Sequence, residues 1–175
     1  KYPSIEHYDD IETRNAWKEA EEQNKDMDIF LKGVHRQSRD NARTPLQWDD
    51  SKFAGFSSTK PWLDVNMNYD KINVELQQDN LDSILNYYRE IIRIRKNNPT
   101  LIYGDFLDLE PSNEKLYIYK RWDQQKTYFI VLNFSDDKVQ WDINNFESMR
   151  LVISNYKKSV YTKLVNPWEA RVYIY

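Results

Sequence analysis

The clearest periodic stretch of the chain runs from Leu81 to Arg95. Leu81, Ile84, Leu85, Tyr88, Ile91, Ile92 and Arg95 recur at i, i+3, i+4, i+7, i+10, i+11 and i+14, so one face of a four-turn helix is apolar. Asn80 or Asp79 is placed to cap its start. Arg93, Arg95 and Lys96 suit the negative end of the helix dipole, and Asn97-Asn98-Pro99 stops it. Upstream the pattern thins. Residues 11–20 predict a helix led in by Asp9 and Asp10, with Ile11, Ala16, Trp17 and Ala20 as its apolar positions. Residues 26–37 predict another, whose one stripe is Ile29, Phe30, Gly33 and Val34. Neither stripe closes a core, so both helices are expected to lean on something larger.

After Gly104 the period falls from 3.6 to 2. Leu116 and Ile118 alternate with Tyr117, Tyr119 and Arg121, and residues 127–134, 139–143, 151–153 and 171–175 follow as short strand-like runs. The segments Pro111-Ser112-Asn113, Asp123-Gln124-Gln125 and Ser135-Asp136-Asp137 are the short polar turns of antiparallel hairpins. A small antiparallel sandwich or barrel of about five to seven strands is predicted, with a domain boundary near Tyr103. In residues 38–80 periodicity fails. Pro45, Gly55 and Pro61 alternate with Trp48, Phe53, Phe56 and Trp62. A loop of this length inside a domain is usually functional, and its rings need a surface to pack on.

Composition narrows the function. Thirteen Tyr and six Trp among 175 residues are many, but such rings serve cores and interfaces as well as sugars and bases, so they leave binding open. The net charge is -3, with basic residues interleaved among acids, which argues against a nucleic-acid partner. The absence of cysteine removes disulfides and thiolate chemistry, and His7 and His35 are the only histidines. No metal or cofactor is expected from that set, and three glycines build no phosphate loop. No apolar run approaches the ~20 residues of a membrane span, and the start lacks a basic segment followed by an apolar one. The expectation is a soluble, cytoplasmic protein without a membrane partner. Lys1 in place of Met suggests a piece of a longer polypeptide.

The densest chemistry lies in residues 38–50, Ser-Arg-Asp-Asn-Ala-Arg-Thr-Pro-Leu-Gln-Trp-Asp-Asp. Pro45 forces Thr44 to be extended, which presents Arg43 from a fixed backbone. A guanidinium held there forks onto a carboxylate or onto two vicinal hydroxyls. Alternatively, Arg39 and Arg43 pair with Asp40, Asp49 or Asp50 and pin the loop. The adjacent acids Asp9-Asp10, Asp49-Asp50 and Asp136-Asp137 read as caps and turns. A glycosidase acid pair must instead face across a substrate, ~5 Å apart in retaining enzymes.

These residues resemble a known family. Arg39-Asp40-Asn41-Ala42-Arg43-Thr44-Pro45-Leu46-Gln47-Trp48-Asp49-Asp50, then Ala54-Gly55-Phe56 and Pro61-Trp62-Leu63-Asp64-Val65-Asn66, closely resemble the signature of α-glucosidases of the α-amylase superfamily. The group is that of oligo-1,6-glucosidases, dextran glucosidases and trehalose-6-phosphate hydrolases. Residues 3–13, the helix end at Ile94-Arg95-Lys96-Asn97-Asn98-Pro99 and the closing Pro167-Trp168-Glu169-Ala170-Arg171 also fit, so the likeness spans the chain. Leu46 stands where many relatives have Met, a volume-conserving exchange.

The resemblance implies an α+β fragment. Residues 1–103 are the C-terminal helices and loop of a (β/α)8 barrel, and residues 104–175 a small antiparallel β-sandwich domain. It implies a retaining hydrolase of terminal α-linked glucose whose Asp nucleophile, Glu acid/base and second Asp lie upstream of Lys1, so that the fragment is inactive by itself. Arg43 would close the pocket floor around the non-reducing-end glucose with an upstream Asp. Arg39 is the second substrate-binding candidate, with Asp40 and Asn41 shaping the loop. The substrate is an oligosaccharide. Linkage, substrate phosphorylation and self-association of the fragment stay open. The alternatives are a carbohydrate-binding or structural β module, marked by a row of coplanar exposed rings, and a homologue that has lost the acids.

Overall fold

The computed structural model describes residues 1–142, 148–156 and 162–175. They form two compact units, Lys1–Ser83 and Ile84–Tyr175.

The first unit holds α1 (Ile11–Glu22), α2 (Met27–Gln37) and the short α3 (Val74–Gln78), with 3-10 turns at Ile5–His7, Arg39–Ala42 and Lys52–Gly55. Asp26 caps α2 by accepting from the Ile29 amide at 3.0 Å, and Asn73 caps α3 by accepting from the Leu76 amide at 2.8 Å. Trp17 of α1 meets Phe30 of α2 edge-on, 5.9 Å between ring centres. Tyr2, Tyr8, Val34 and Leu63 make a small core, flanked by Ile5, Phe30 and Leu31. Ile11 and Ile29, on the expected stripes, stay exposed. The two helices therefore carry more apolar surface than this unit covers.

The second unit begins with α4 (Ile84–Lys96) and α5 (Thr100–Tyr103). It continues through β1 (Asp105–Asp108), β2 (Leu116–Trp122), β3 (Thr127–Asn133), β4 (Val139–Gln140), β5 (Arg150–Ser154), β6 (Leu164–Val165) and β7 (Ala170–Ile174). Five strands form an antiparallel sheet in the order β1-β2-β3-β7-β5, and β4 pairs with β6. Asp123 makes the β2–β3 hairpin by accepting from the Gln125 and Lys126 amides at 2.8 and 2.9 Å. Pairing Ile118 with Val131, Phe129 with Tyr173 and Leu151 with Tyr173 puts these residues on one face. Val139, Trp141, Met149 and Val165 pack there as a second layer. On the other face, Tyr128, Ile130, Val172 and Ile174 meet Ile94 of α4 and Leu101 of α5.

Three departures from the sequence reading have physical causes. α4 starts at Ile84, not Leu81, because the Asn80 side chain accepts from the Asp82 amide (3.0 Å) and Ser83 donates to the Gln77 carbonyl (2.8 Å), which holds residues 80–83 in a turn. β1 and β6 were not foreseen, since neither segment alternates; β1 exists through its register with β2, Asp105 opposite Trp122 and Asp108 opposite Tyr119. The expected strand over 139–143 contains β4, and its last position, Ile143, lies outside the described residues.

Candidate functional site

Residues 38–50 are organised around a buried carboxylate. Ser38 ends α2, and its hydroxyl accepts from the Asp40 amide at 3.4 Å, opening the turn Arg39–Ala42. That turn directs Asp40 inward, where it is 0% exposed. Its Oδ2 accepts from the backbone amides of Asp9 and Asp10, at 2.7 and 2.8 Å. Its Oδ1 accepts from Nη2 of Arg43. Those amides lie at the entry to α1, so the acid ties two distant segments. Asn41 adds a bond from Nδ2 to the Val34 carbonyl near the end of α2, at 3.0 Å.

The two arginines have different surroundings. Arg39 donates from Nε and Nη2 to Asp10 Oδ1, at 3.2 and 2.6 Å. The Arg39 hydrogen bond, assisted by Thr13 against the cost of burial, lowers the Asp10 carboxyl to about 2. Arg43 rests on Asp40 and sits 5.4 Å from the centre of the exposed Trp62 ring. Its side chain is still 42% exposed. Neither arginine reaches Asp49 or Asp50 among the described contacts. Asp49 closes its own turn by accepting from the Ser51 amide (2.9 Å) and hydroxyl (2.5 Å).

The backbone after the motif is held in a conformation that side chains disfavour. Phe53, Ala54 and Gly55 lie in succession at φ +59°, +57° and +63°. The Ala54 carbonyl accepts from the Trp48 and Asp49 amides at 2.8 and 3.3 Å, which clamps this left-handed turn to the motif. At Gly55 any Cβ would overlap the Asp49 carboxylate. On the other side, the Gln47 and Trp48 carbonyls accept from the Val74 and Glu75 amides at 2.9 Å each, fixing the start of α3. A cavity of about 650 Å³ in this unit is lined by Tyr2, Asn41, Thr44, Phe53, Asp64 and Asn66 among others. Burial first, then Asp64 and Asp40, push the Tyr2 phenol up to about 12. Its hydroxyl donates to the Asp64 carbonyl at 2.6 Å.

Chemically, this arrangement offers planar donors beside an aromatic face, the combination that holds neutral polyhydroxyl groups. Asp9, Asp10, Asp40 and Asp49 are each engaged, with Arg14, Arg39, Arg43 and Ser51 in turn. Sequence reasoning found both arginines and offered Asp40 as a partner, which holds for Arg43; it missed Asp10 as the partner of Arg39 and Trp62 beneath Arg43. Asp40 beside Arg43 was visible in the motif; its bonds to the Asp9 and Asp10 amides were not.

Comparison with known proteins settles the family. The alpha amylase catalytic domain family matches residues 3–104, and the maltogenic amylase C-terminal domain family matches residues 106–162. The chain belongs to the alpha-amylase family. Its relatives include oligo-1,6-glucosidase of Parageobacillus thermoglucosidasius, 36% identical over 99% of this chain and 32% of that protein. Another is oligo-1,6-glucosidase of Heyndrickxia coagulans, 38% identical over 97% of this chain and 31% of that one. Among solved structures, trehalose-6-phosphate hydrolase of Bacillus licheniformis superposes with a TM-score of 0.92 at 28% identity, covering 99% of this chain and 33% of that one. Isomaltulose synthase of Erwinia rhapontici NX5, solved with sucrose, gives 0.85 at 35% identity, with the same coverages. The chain thus spans about a third of the length of the relatives it matches. A partial catalytic barrel domain followed by an antiparallel β domain is the fold.

Proposed function

We propose that this chain is the C-terminal portion of a retaining α-glucosidase that removes terminal α-linked glucose from short oligosaccharides. Residues 1–103 complete the catalytic barrel, residues 104–175 form its β domain, and Arg43 binds the glucose at the pocket floor. The observation that carries the reading is the state of Arg43: one nitrogen is fixed on a fully buried acid, while the side chain is 42% exposed within the family-matched segment. Arg39, paired with Asp10, supports the loop and stands as the weaker contact. The nucleophile and acid/base lie outside this chain, so the 175 residues alone release no glucose. The names of the curated relatives favour α-1,6 linkages in the substrate. A cytoplasmic location belongs to the proposal, in keeping with a chain that has no cysteine.

A free-standing sugar-binding module is less well supported. Trp141 is buried and stacks on Tyr173, 5.8 Å between ring centres. The row Phe106–Tyr119–Tyr117 is tilted by 39° and 37° instead of coplanar.

Kinetics of the full-length enzyme test the reading. Arg43→Lys keeps the charge and loses the planar donors, and Arg43→Ala leaves Asp40 unpaired. Each should lower kcat/KM by about 10²-fold, or about 2.7 kcal/mol of transition-state stabilisation. Arg39→Ala should cost less. Wild-type activity in Arg43→Lys, or glucose release by the 175-residue chain after repurification, would overturn the proposal.

A further inference from the structure

We propose that Asp40 is the positioning residue that aims Arg43 at the sugar, an inference that rests on the reading of Arg43 above. The geometry fixes the acid from behind. Oδ2 is held by two backbone amides, those of Asp9 at 2.7 Å and Asp10 at 2.8 Å, and the side chain is fully enclosed. With that oxygen anchored at two points, rotation of the carboxylate is restricted, and Oδ1 is presented in one direction. Arg43 Nη2 occupies it. The Trp62 ring, 5.4 Å from the guanidinium carbon, restricts the other side. Among the described residues Nε and Nη1 of Arg43 have no hydrogen-bond partner, which leaves these donors for groups beyond them while Nη2 stays on Asp40. The start of α1 thereby sets the aim of a residue more than thirty positions later.

The pairing also sets the charge. An exposed guanidinium alone attracts anions; one neutralised by a buried carboxylate presents polar N–H groups with little net charge, which suits an uncharged hydroxyl pair. The same amide bonds suggest a substitution that separates aiming from folding. Asp40→Asn keeps an oxygen for the Asp9 and Asp10 amides but turns an NH2 group toward Arg43, donor against donor.

In the full-length enzyme, Asp40→Asn should lower kcat/KM by about tenfold or more, chiefly through kcat because the transition state needs the aligned donors most. In an Arg43→Ala background the same change should cost less than about twofold, since there is no longer a guanidinium to aim. A merely structural role would give the full loss in both backgrounds. Additive effects, or an Asp40→Asn enzyme as active as wild type beside a damaged Arg43→Ala, overturn the assignment of Asp40 alone. A silent Arg43→Ala overturns the substrate reading, and this one with it. A measurement on the unmodified full-length enzyme guards against misfolded variants: the Arg43 Nε–H group should show restricted motion by nitrogen relaxation, unlike exposed Arg36. Equal mobility of the two would also defeat the proposal.

Discussion

Each unit of the molecule buries a carboxylate against an arginine, and the two pairs are finished differently. In the sheet, Glu169 and Arg171 are both 0% exposed. Arg171 binds Glu169 through Nε and Nη2 at 2.7 Å each and spends its other donors on the Thr162 and Leu164 carbonyls at 2.6 and 2.9 Å. Glu169 also accepts from Ser154 at 3.2 Å and from the Asn166 amide and side chain at 2.8 and 2.9 Å. Nothing is left over for a ligand. In the motif unit the acid, Asp40, is just as enclosed, but Arg43 opens outward with donors unused. The closed pair commits every donor to the fold; in the half-open pair the acid is as buried, but the arginine keeps donors that the described residues do not use, as the proposed sugar contact requires. The desolvation cost of the acid is offset in both cases by backbone or side-chain donors.

The largest expected effect breaks the closed pair. Glu169→Gln leaves the Arg171 charge buried without its counter-ion and should destabilise the sheet unit by about 3–5 kcal/mol. Urea unfolding followed by Trp fluorescence measures it. A loss below about 1 kcal/mol would mean that the carbonyls of Thr162 and Leu164 suffice for the guanidinium, and the distinction between closed and open pairs would lose its energetic basis.

How much of this was legible in the sequence depended on whether the information was local. Helix α4 was plain from its period, but which of its faces is covered was not. Tyr87, Ile91 and Ile94 line the side toward the sheet, whereas Ile84 and Tyr88 are 78% and 64% exposed. A periodic pattern reports that a helix expects cover and not what supplies it. The β2–β3 hairpin was legible because Asp123 writes its own turn. The left-handed turn was not, since Phe53 and Ala54 carry no signal for positive φ and only Gly55 hints at it. At the site, residue types found both arginines. Their separate roles depend on Asp10, about thirty positions from Arg39, and on Asp40, which sits three positions from Arg43 but is anchored by amides about thirty positions away, beyond any local rule.

A middle-sized effect asks whether the open pair depends on the backbone clamp that follows it. Gly55→Ala places a Cβ at φ +63°, against the Asp49 carboxylate. The left-handed conformation alone costs roughly 1–2 kcal/mol, and moving Asp49 sacrifices its bonds to Ser51. A loss of about 2 kcal/mol in the motif unit is expected from these together. Asp49→Ala in the same chain should recover the part caused by overlap. If Gly55→Ala unfolds at the wild-type urea concentration, the turn is not under the constraint described, and the motif is held by its charges alone.

The smallest effect concerns a third pair, Asp10 with Arg39, in which the acid is buried and the arginine is the most exposed of the three. The Arg39 hydrogen bond lowers Asp10 from its usual 3.8 to about 2 in the folded chain. A carboxyl whose folded value lies below its unfolded value stabilises the fold once pH is above the unfolded value. That contribution disappears as pH falls from about 4 through about 2, when folding no longer favours the ionised form. Arg39→Ala should therefore flatten the loss of stability between about pH 5 and pH 2 relative to wild type, while the two chains differ by a constant amount above pH 5. Other acids titrate in the same window, so the difference between the chains, not either curve alone, isolates this pair. Because Arg39 faces solvent, the difference should also shrink in high salt. Parallel stability curves for the two chains from pH 5 to 2 would show that Thr13 holds Asp10 down against its burial without the arginine, and Arg39 would then be as free as Arg43 to meet a ligand.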